Sequence, residues 1–331
     1  MRTSAPRPAT LAILRLQVEQ RLAALLPPQD EQPGSVNAAL HAAVFGAGKR
    51  LRPLLVLLAG QALGARTAAL LDLACAVEMV HCASLVLDDM PAMDNALLRR
   101  GQPTVHLRFG QDTAMLAAVA LVSEACRITA AAPQLPATVR AEAVQVLCAA
   151  IGPQGLVRGQ YRDLHDAGAT RRPDSVAEAN DLKTGVLFAC CLELAAQAAA
   201  RLDAVAPLRE AAFALGQAFQ LRDDLEDEAP AAGREDAGQD RGKGTLVELL
   251  GAPAVRVLVH SHLDKAVRAL HAGIGRDAPL LLGLLEAAFP EFPLAGDTSA
   301  ADASPLAFEL PAGAAGPAAR MHGGAGADLA P

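Results

Sequence analysis

An all-α bundle is the fold this sequence predicts, and three features of the chain point to it. Ala and Leu dominate a composition that is 52% hydrophobic, with no Trp, one Tyr and eight Phe among 331 residues, so the β-branched and aromatic residues that favour strands are thin. Apolar residues recur with the period of amphipathic helices, and no segment sustains the alternation of a half-buried strand. Short breaks rich in Gly and Pro punctuate those periods, which makes helices packed around one core the economical architecture.

The first element is a helix over residues 11–26, stopped by Pro27-Pro28. A Pro-, Gly- and Gln-containing connector continues as far as Gly34. From Ser35 onward helical patterns succeed one another, with breaks at 46–48, 64–67, Pro91, 101–103, 133–136, 167–173 and 229–242. After about Phe292 the composition turns to Ala, Gly, Pro, Ser and Asp, interrupted by Phe308-Glu309-Leu310, and such a segment cannot bury enough surface to offset its ordering entropy. The expected organisation is an N-terminal helix and connector (1–34), one all-helical catalytic domain (35–292) and a mobile tail (293–331).

A formal net charge of −7 argues against a nucleic-acid or anionic-membrane surface, since both need a broad basic face. Uninterrupted apolar runs such as 114–122 are far shorter than the ~20 residues of a membrane span. Residues 1–8 carry two Arg and two Pro without the apolar core of a signal peptide. A cytoplasmic protein with no membrane span is expected. The six cysteines, Cys75, Cys82, Cys126, Cys148, Cys190 and Cys191, lack CxxC spacing and lie mostly in apolar stretches, so all are expected to be reduced core residues.

Two acidic clusters carry the chemistry. Asp223 and Asp227 are four residues apart and share a helix face with their Cβ atoms ~6 Å apart; Asp224 lies beside them and Gln220 one turn earlier. A charge run is ordinarily a solvated stripe, but residues 211–219 just before it are apolar on most sides, and the same grammar recurs at Asp88, Asp89 and Asp94. The second cluster has no His or Cys beside it, and carboxylates alone suit a hard cation such as Mg²⁺, which takes one or two protein carboxylates and completes its shell with water and phosphate oxygens. Asp88 and Asp94, six apart, would diverge by ~120° on a regular helix. Pro91 breaks the helix between them, and a bulge over 90–93 would return Asp94 to the side of Asp88. His81 and Ser84 precede Asp88 on the same face.

Four basic groups accompany the clusters. They are Lys49 and Arg52 in the Gly-rich segment 46–53, which lacks Walker spacing, the twin Arg99-Arg100, the pair Lys183-Thr184, and Lys243 within Gly242-Lys243-Gly244-Thr245. Each alone reads as surface charge. Together they supply cations for two diphosphates, whose oxygens guanidinium forks match.

At these residues the chain resembles the trans-isoprenyl diphosphate (polyprenyl) synthases. Residues 81–94 followed by LLRRGQPTVH resemble the family's first aspartate-rich motif and FQLRDDLED (219–227) its second. GKRLRP (48–53), GQYRDL (159–164), LKTGVLF (182–188) and the Gly242–Thr245 element match its other motifs in order. The likeness runs from about Val36 to Gly251 and is nearest to bacterial geranylgeranyl diphosphate synthases of carotenoid pathways. It implies an isoprenoid-synthase bundle around a deep central cavity, usually a homodimer, that joins isopentenyl diphosphate head-to-tail to an allylic diphosphate (dimethylallyl, geranyl or farnesyl). By the resemblance, Asp88, Asp89, Asp94, Asp223, Asp224 and Asp227 hold several Mg²⁺ ions, with Mn²⁺ as a substitute. Arg99, Lys183, Thr184, Gln220 and Lys243 contact the allylic substrate, Lys49, Arg52, His81 and Arg100 bind isopentenyl diphosphate, and Gln160 and Asp163 line the cavity. Asp88, Asp89, Asp94, Arg99, Lys183, Asp223, Asp224 and Lys243 form the expected catalytic set.

Product length is expected to depend on Ala83 and Ser84, the fifth and fourth residues before Asp88. In bacterial relatives an aromatic residue at the fifth position commonly stops the product at fifteen carbons; both residues here are small, which by that resemblance favours geranylgeranyl diphosphate, and Met79 or Val80 one turn deeper are candidate limits. The rivals are a farnesyl diphosphate synthase, a non-catalytic regulatory subunit, a head-to-head synthase or terpene cyclase, and a helical scaffold protein. Two intact aspartate motifs oppose the subunit, the GKRLRP and RRG elements oppose the cyclase, and the matched acidic and basic clusters oppose the scaffold. One position departs from the family: Glu235, beside Arg234, precedes Asp236 where relatives often carry Lys. The tail has no counterpart to the short basic terminus of some relatives.

Overall fold

The computed structural model describes residues 8–29, 34–165, 173–228, 245–276 and 278–294. Contacts divide the chain after Leu294, and every described element belongs to the part before that point. The expected tail beyond it, and residues Arg234, Glu235, Asp236 and Lys243, lie outside the described residues.

The described chain is almost wholly helical. α1 (Pro8–Leu25) ends two residues before Pro27-Pro28, and Ser35 caps α2 (Val36–Val44), its side chain accepting from the Ala38 amide at 3.1 Å. α3 (Leu51–Ala62) and α4 (Thr67–Asp88) come next. They lead to a hairpin of β1 (Leu98–Arg99) and β2 (Gln102–Pro103), a strand pair the sequence pattern does not announce. Its two loop residues, Arg100 (φ 55°) and Gly101 (φ 75°), both lie in the left-handed region that a tight two-residue turn requires. α5 (Val105–Phe109), α6 (Gln111–Ala131), α7 (Ala137–Ile151) and α8 (Leu156–His165) continue the bundle. The break at Gly152–Gly155 is not among those expected from the sequence.

α9 (Pro173–Asn180) runs through a single π turn, Asp181–Gly185, into α10 (Val186–Ala198). α11 (Val205–Glu228), α12 (Leu246–Leu250), α13 (Ala252–Ile274) and α14 (Pro279–Ala288) complete the described elements. α4 lies at the centre and packs on α3, α6 and α10, while α11 packs on α10 and α13. α1 belongs to the same core, with Val18 and Leu22 fully buried.

α4 and α6 are each long and apolar enough to cross a membrane by length and composition, although neither contains an uninterrupted apolar run of that size. For α4, burial within the bundle explains the composition, since 72% of its apolar window is inside. α6 is only 39% buried over the same length and exposes Met115, Leu116 and Val119.

The cysteine expectation holds for four residues only. Cys75, Cys82, Cys190 and Cys191 are buried, whereas Cys126 is half-buried and Cys148 exposed. Helical spacing places Cys148 on the solvent side of α7, which an apolar count along the chain does not register.

One buried ion pair organises the approach to the site. Arg50, at the left-handed start of α3 (φ 52°), donates to Glu78 of α4 at 2.9 Å, and the side chains are only 3% and 4% exposed. Removing one partner of such a pair leaves an uncompensated buried charge. Glu78→Ala is therefore expected to lower stability by about 3–5 kcal/mol, and a urea unfolding curve unchanged from wild type would contradict that role.

Candidate active site

The first acidic cluster takes the shape that Pro91 permits. α4 ends at Asp88, and the chain turns so that the Asp94 amide donates to the Asp88 carbonyl at 2.9 Å, with Asn95 N–H returning to Met90 O at 3.0 Å. The turn carries Asp94 back toward the end of α4. Asp89 is buried beneath it, and Arg99 from the hairpin closes on Asp89, its Nε donating to Oδ1 at 2.9 Å. The adjacent Arg100 reaches the other way and donates to the Ala47 carbonyl in the Gly-rich segment. One tight turn thus aims the twin arginines at different groups.

The second cluster lies on the last turns of α11, as its spacing predicts. Gln220 donates to Asp224 at 3.0 Å and accepts from the Thr184 hydroxyl at 3.4 Å. Asp224 is buried, Asp227 half-buried and Asp223 exposed. Arg222 is a site residue that the sequence pattern does not single out. It donates to Asp223 at 2.6 Å and to the Ala288 carbonyl at the end of α14, also at 2.6 Å, and its guanidinium lies 4.9 Å from the Phe219 ring centre and 5.4 Å from that of Phe289. An arginine placed immediately before two aspartates is the one signal for it.

The π turn ties the two clusters together. It widens the helix where Lys183 and Thr184 stand, a distortion often found at functional sites, and two glycines let neighbouring helices approach it. A Cβ on Gly159 of α8 would lie 2.6 Å from the Leu182 carbonyl carbon, and one on Gly216 of α11 2.6 Å from Gly185 Cα. That closeness brings Asp163 to Lys183, whose Nζ donates to it at 2.7 Å, and Gln220 to Thr184.

The electrostatics are those of a site short of positive charge near Asp88. Burial pushes its carboxyl up to about 6, Lys183 draws it down and Asp94 repels it. Burial also raises Asp89, with Arg99 offsetting part of the effect. For Lys183 burial works downward, but Asp163 and Asp88 outweigh it and hold the ammonium above its ordinary value.

On the other side of α4, Arg52 donates to His81 Nε2 at 3.3 Å. Arginine has no acceptor, so Nε2 bears no proton. Burial, together with the positive charges of Arg52 and Arg100, drives His81 well below its ordinary value, which agrees. Arg52 stacks 4.9 Å from the Phe188 ring centre, and its Nε is buried without a hydrogen-bond partner among the described residues. A buried guanidinium with an orphaned donor suits an anionic ligand. Lys49 is exposed on the adjoining segment.

Below the first cluster an apolar cavity of about 370 Å³ opens along α4, lined by Val80, Ala83, Ser84, Leu87 and Asp88, with Val122, Ile151 and α8 opposite and Lys183 at its edge. Gln160 belongs to the same wall and donates toward Met93 Sδ at 3.9 Å. From Asp88 to Val80 the lining descends two helical turns, about 12 Å. Met79, the other candidate limit, is fully buried in the core while Val80 lines the cavity.

Among the described residues no three His, Cys, Asp or Glu side chains converge on one point. The carboxylate set still fits Mg²⁺, because Asp88, Asp89 and Asp223, which burial raises, gain from a cation, and Mg²⁺ needs few protein ligands when phosphate oxygens supply the rest.

An all-helical core with paired carboxylate clusters, phosphate-matching cations and an apolar tunnel defines a class of enzyme that handles diphosphates with long hydrocarbon tails. The chain belongs to the polyprenyl synthetase family, whose model matches residues 34–262. Among similar proteins, a geranylgeranyl diphosphate synthase of Pseudescherichia vulneris is 49% identical over 264 residues, 78% of this chain and 85% of that protein. One of Pantoea ananas is 45% identical over 262 residues, 78% and 86% respectively. A solved geranyltransferase of Legionella pneumophila superposes with a TM-score of 0.75 at 31% identity, over 86% of this chain and 97% of that one.

Proposed function

We propose that the protein is a head-to-tail prenyltransferase that condenses isopentenyl diphosphate with an allylic diphosphate, and that its product is geranylgeranyl diphosphate. The observation that carries this reading is the continuity of the site. A carboxylate and cation mouth at Asp88 and Lys183 opens directly into an apolar cavity floored by small residues and Val80.

In this reading Asp88, Asp89 and Asp94 from one side and Asp223, Asp224 and Asp227 from the other hold Mg²⁺, with Mn²⁺ able to substitute. When bound, the ions neutralise the diphosphate and make it a better leaving group. Arg99, Lys183, Thr184 and Gln220, with Lys243, hold the allylic diphosphate, and the cations among them stabilise the charge that builds on its bridging oxygen as the C–O bond breaks. Lys49, Arg52, neutral His81 and Arg100 hold isopentenyl diphosphate so that its double bond faces the allylic cation. The apolar walls keep water from that cation. Loss of a proton, with the released diphosphate as acceptor, leaves an allylic product one isoprene unit longer. The same reading places the protein in the cytoplasm.

Incubation with Mg²⁺, farnesyl diphosphate and labelled isopentenyl diphosphate should yield labelled geranylgeranyl diphosphate. No elongated product with either Mg²⁺ or Mn²⁺ would overturn the synthase reading, and a ladder ending at farnesyl diphosphate from dimethylallyl primer would favour the shorter-product alternative.

We further propose a homodimer formed through α6. Met115, Leu116 and Val119 are 48%, 57% and 67% exposed on one apolar stretch, and a second copy of the same surface would cover them. Sedimentation should give twice the chain mass of 34.0 kDa, and Val119→Glu should shift it toward monomer. A wild-type protein that sediments as a monomer at all concentrations would exclude the arrangement.

A further inference from the structure

α6 and α7 run antiparallel across the connection at 132–136, and each gives one residue to the cavity wall, Val122 and Ile151. One turn nearer that connection, Cys126 and Cys148 face each other with their sulfurs 3.8 Å apart. Cys126 comes four residues after Val122 and Cys148 three before Ile151, so each thiol shares a helix face with a wall residue. The other four cysteines are sealed in the core, where burial pushes Cys191 up to about 12 and raises Cys75, Cys82 and Cys190 as well. Thiols in that state are inert. The α6–α7 pair is different, since Cys148 is exposed and its partner is already within reach.

We propose that Cys126 and Cys148 form a reversible disulfide that fastens α6 to α7 beside the product cavity and restricts the length of chain the cavity admits. The effect on product rests on the prenyl-elongation reading, whereas the disulfide itself does not. Closure needs the sulfurs to move from 3.8 Å to the ~2.05 Å of the bond. A low-molecular-weight disulfide such as oxidised glutathione is the oxidant. The Cys148 thiolate attacks one of its sulfurs and releases one glutathione thiolate. Cys126 then loses its proton to solvent and attacks the Cys148 sulfur, releasing the second glutathione. Two protein thiols become one disulfide, and one glutathione disulfide becomes two thiols.

Burial, then the hydrogen bond with Cys148, pushes the Cys126 thiol up to about 11, so the second step is slow near neutrality and quickens as pH rises. Once joined, the helices cannot part to make room at Val122 and Ile151, and a chain that needs that room is excluded.

The test treats the full-length protein with oxidised glutathione at two pH values, maps disulfides by mass spectrometry of unreduced digests, and measures the product ladder before and after. The expected results are a Cys126–Cys148 cross-linked peptide within one chain, faster formation at the higher pH, and about tenfold less of the longest product relative to shorter ones, in line with what small pocket changes do. Dithiothreitol should restore the ladder, and Cys148→Ser and Cys126→Ser should each keep it unchanged under oxidant. A stable glutathione adduct on Cys148 without the cross-link, or a link between two chains instead, would overturn the disulfide. A cross-link that forms in full while the ladder stays the same would overturn its effect on product length. Failure of the reduced protein to elongate any substrate would instead reject the enzymatic reading and leave the disulfide result standing.

Discussion

Asp88→Asn should reduce kcat/KM by about 10³-fold or more and at the same time make the metal-free protein more stable above about pH 6. The two effects share one cause. Burial lifts the Asp88 carboxyl to about 6 in the folded protein, against ~3.9 in an unfolded chain. The folded state therefore holds this proton more tightly, so stability is greatest where both states are protonated, falls as pH rises from about 4 to about 6, and stays lowered beyond that. A two-unit shift sets a ceiling of about 3 kcal/mol, and because Asp88 is only half-buried about 1–2 kcal/mol is the reasonable expectation after solvent screening. Asparagine keeps the shape and removes the charge, so in EDTA the variant should melt above wild type at about pH 8 and close to it at about pH 4. An Asn variant no more stable than wild type at the higher pH would show that Asp88 carries no such penalty. Adding Mg²⁺ with inorganic diphosphate should stabilise wild type more than the variant, because only wild type keeps the full carboxylate set for a ligand that favours the folded state.

That coupling explains why the acidic clusters are legible in the sequence and the parts that hold them are not. Charge in an apolar helix is a local anomaly, and Asp88, Asp89, Asp223 and Asp224 announce themselves without any knowledge of neighbours. Pro91 is equally local, and the turn that returns the Asp94 amide to the Asp88 carbonyl results from it. The π turn at Lys183 and Thr184 is a property of three helices meeting over Gly159, Gly185 and Gly216, and no single segment encodes it. The same holds for Arg50, which looks like one more member of a basic phosphate-binding run but is committed to Glu78 in the core. In GKRLRP the neighbours Lys49 and Arg52 remain available to a ligand because Arg50 anchors the segment that carries them. The left-handed turn at Arg100 and Gly101 lacks the Asn-Gly or Asp-Gly signature of such hairpins, which is why Arg99 and Arg100 read as a pair in the sequence while the structure points them at separate partners.

The other large effect is on product length. Ala83→Phe should make farnesyl diphosphate accumulate, shifting the ratio of the longest product to the next shorter one by about 100-fold. Ala83 is 1% exposed and faces the cavity between Val80 and Leu87, so a phenyl ring placed there enters the space a growing chain must cross. Because that space is already empty of protein, the ring meets less resistance than it would in a packed core, and the stability change should fall at or below the low end of the ~1–3 kcal/mol typical of overpacking. Val80→Ala should act in the opposite sense by opening the cavity one turn deeper. Met79→Ala supplies the control: Met79 is fully buried in the core, so its truncation should cost about 2–5 kcal/mol of stability and leave the product ladder as it was. Chromatography of the labelled products from these variants separates the outcomes. If Ala83→Phe and wild type ended at the same chain length, α4 would not be the wall that measures the product, and the limit would have to lie with Val122 and Ile151 across the cavity.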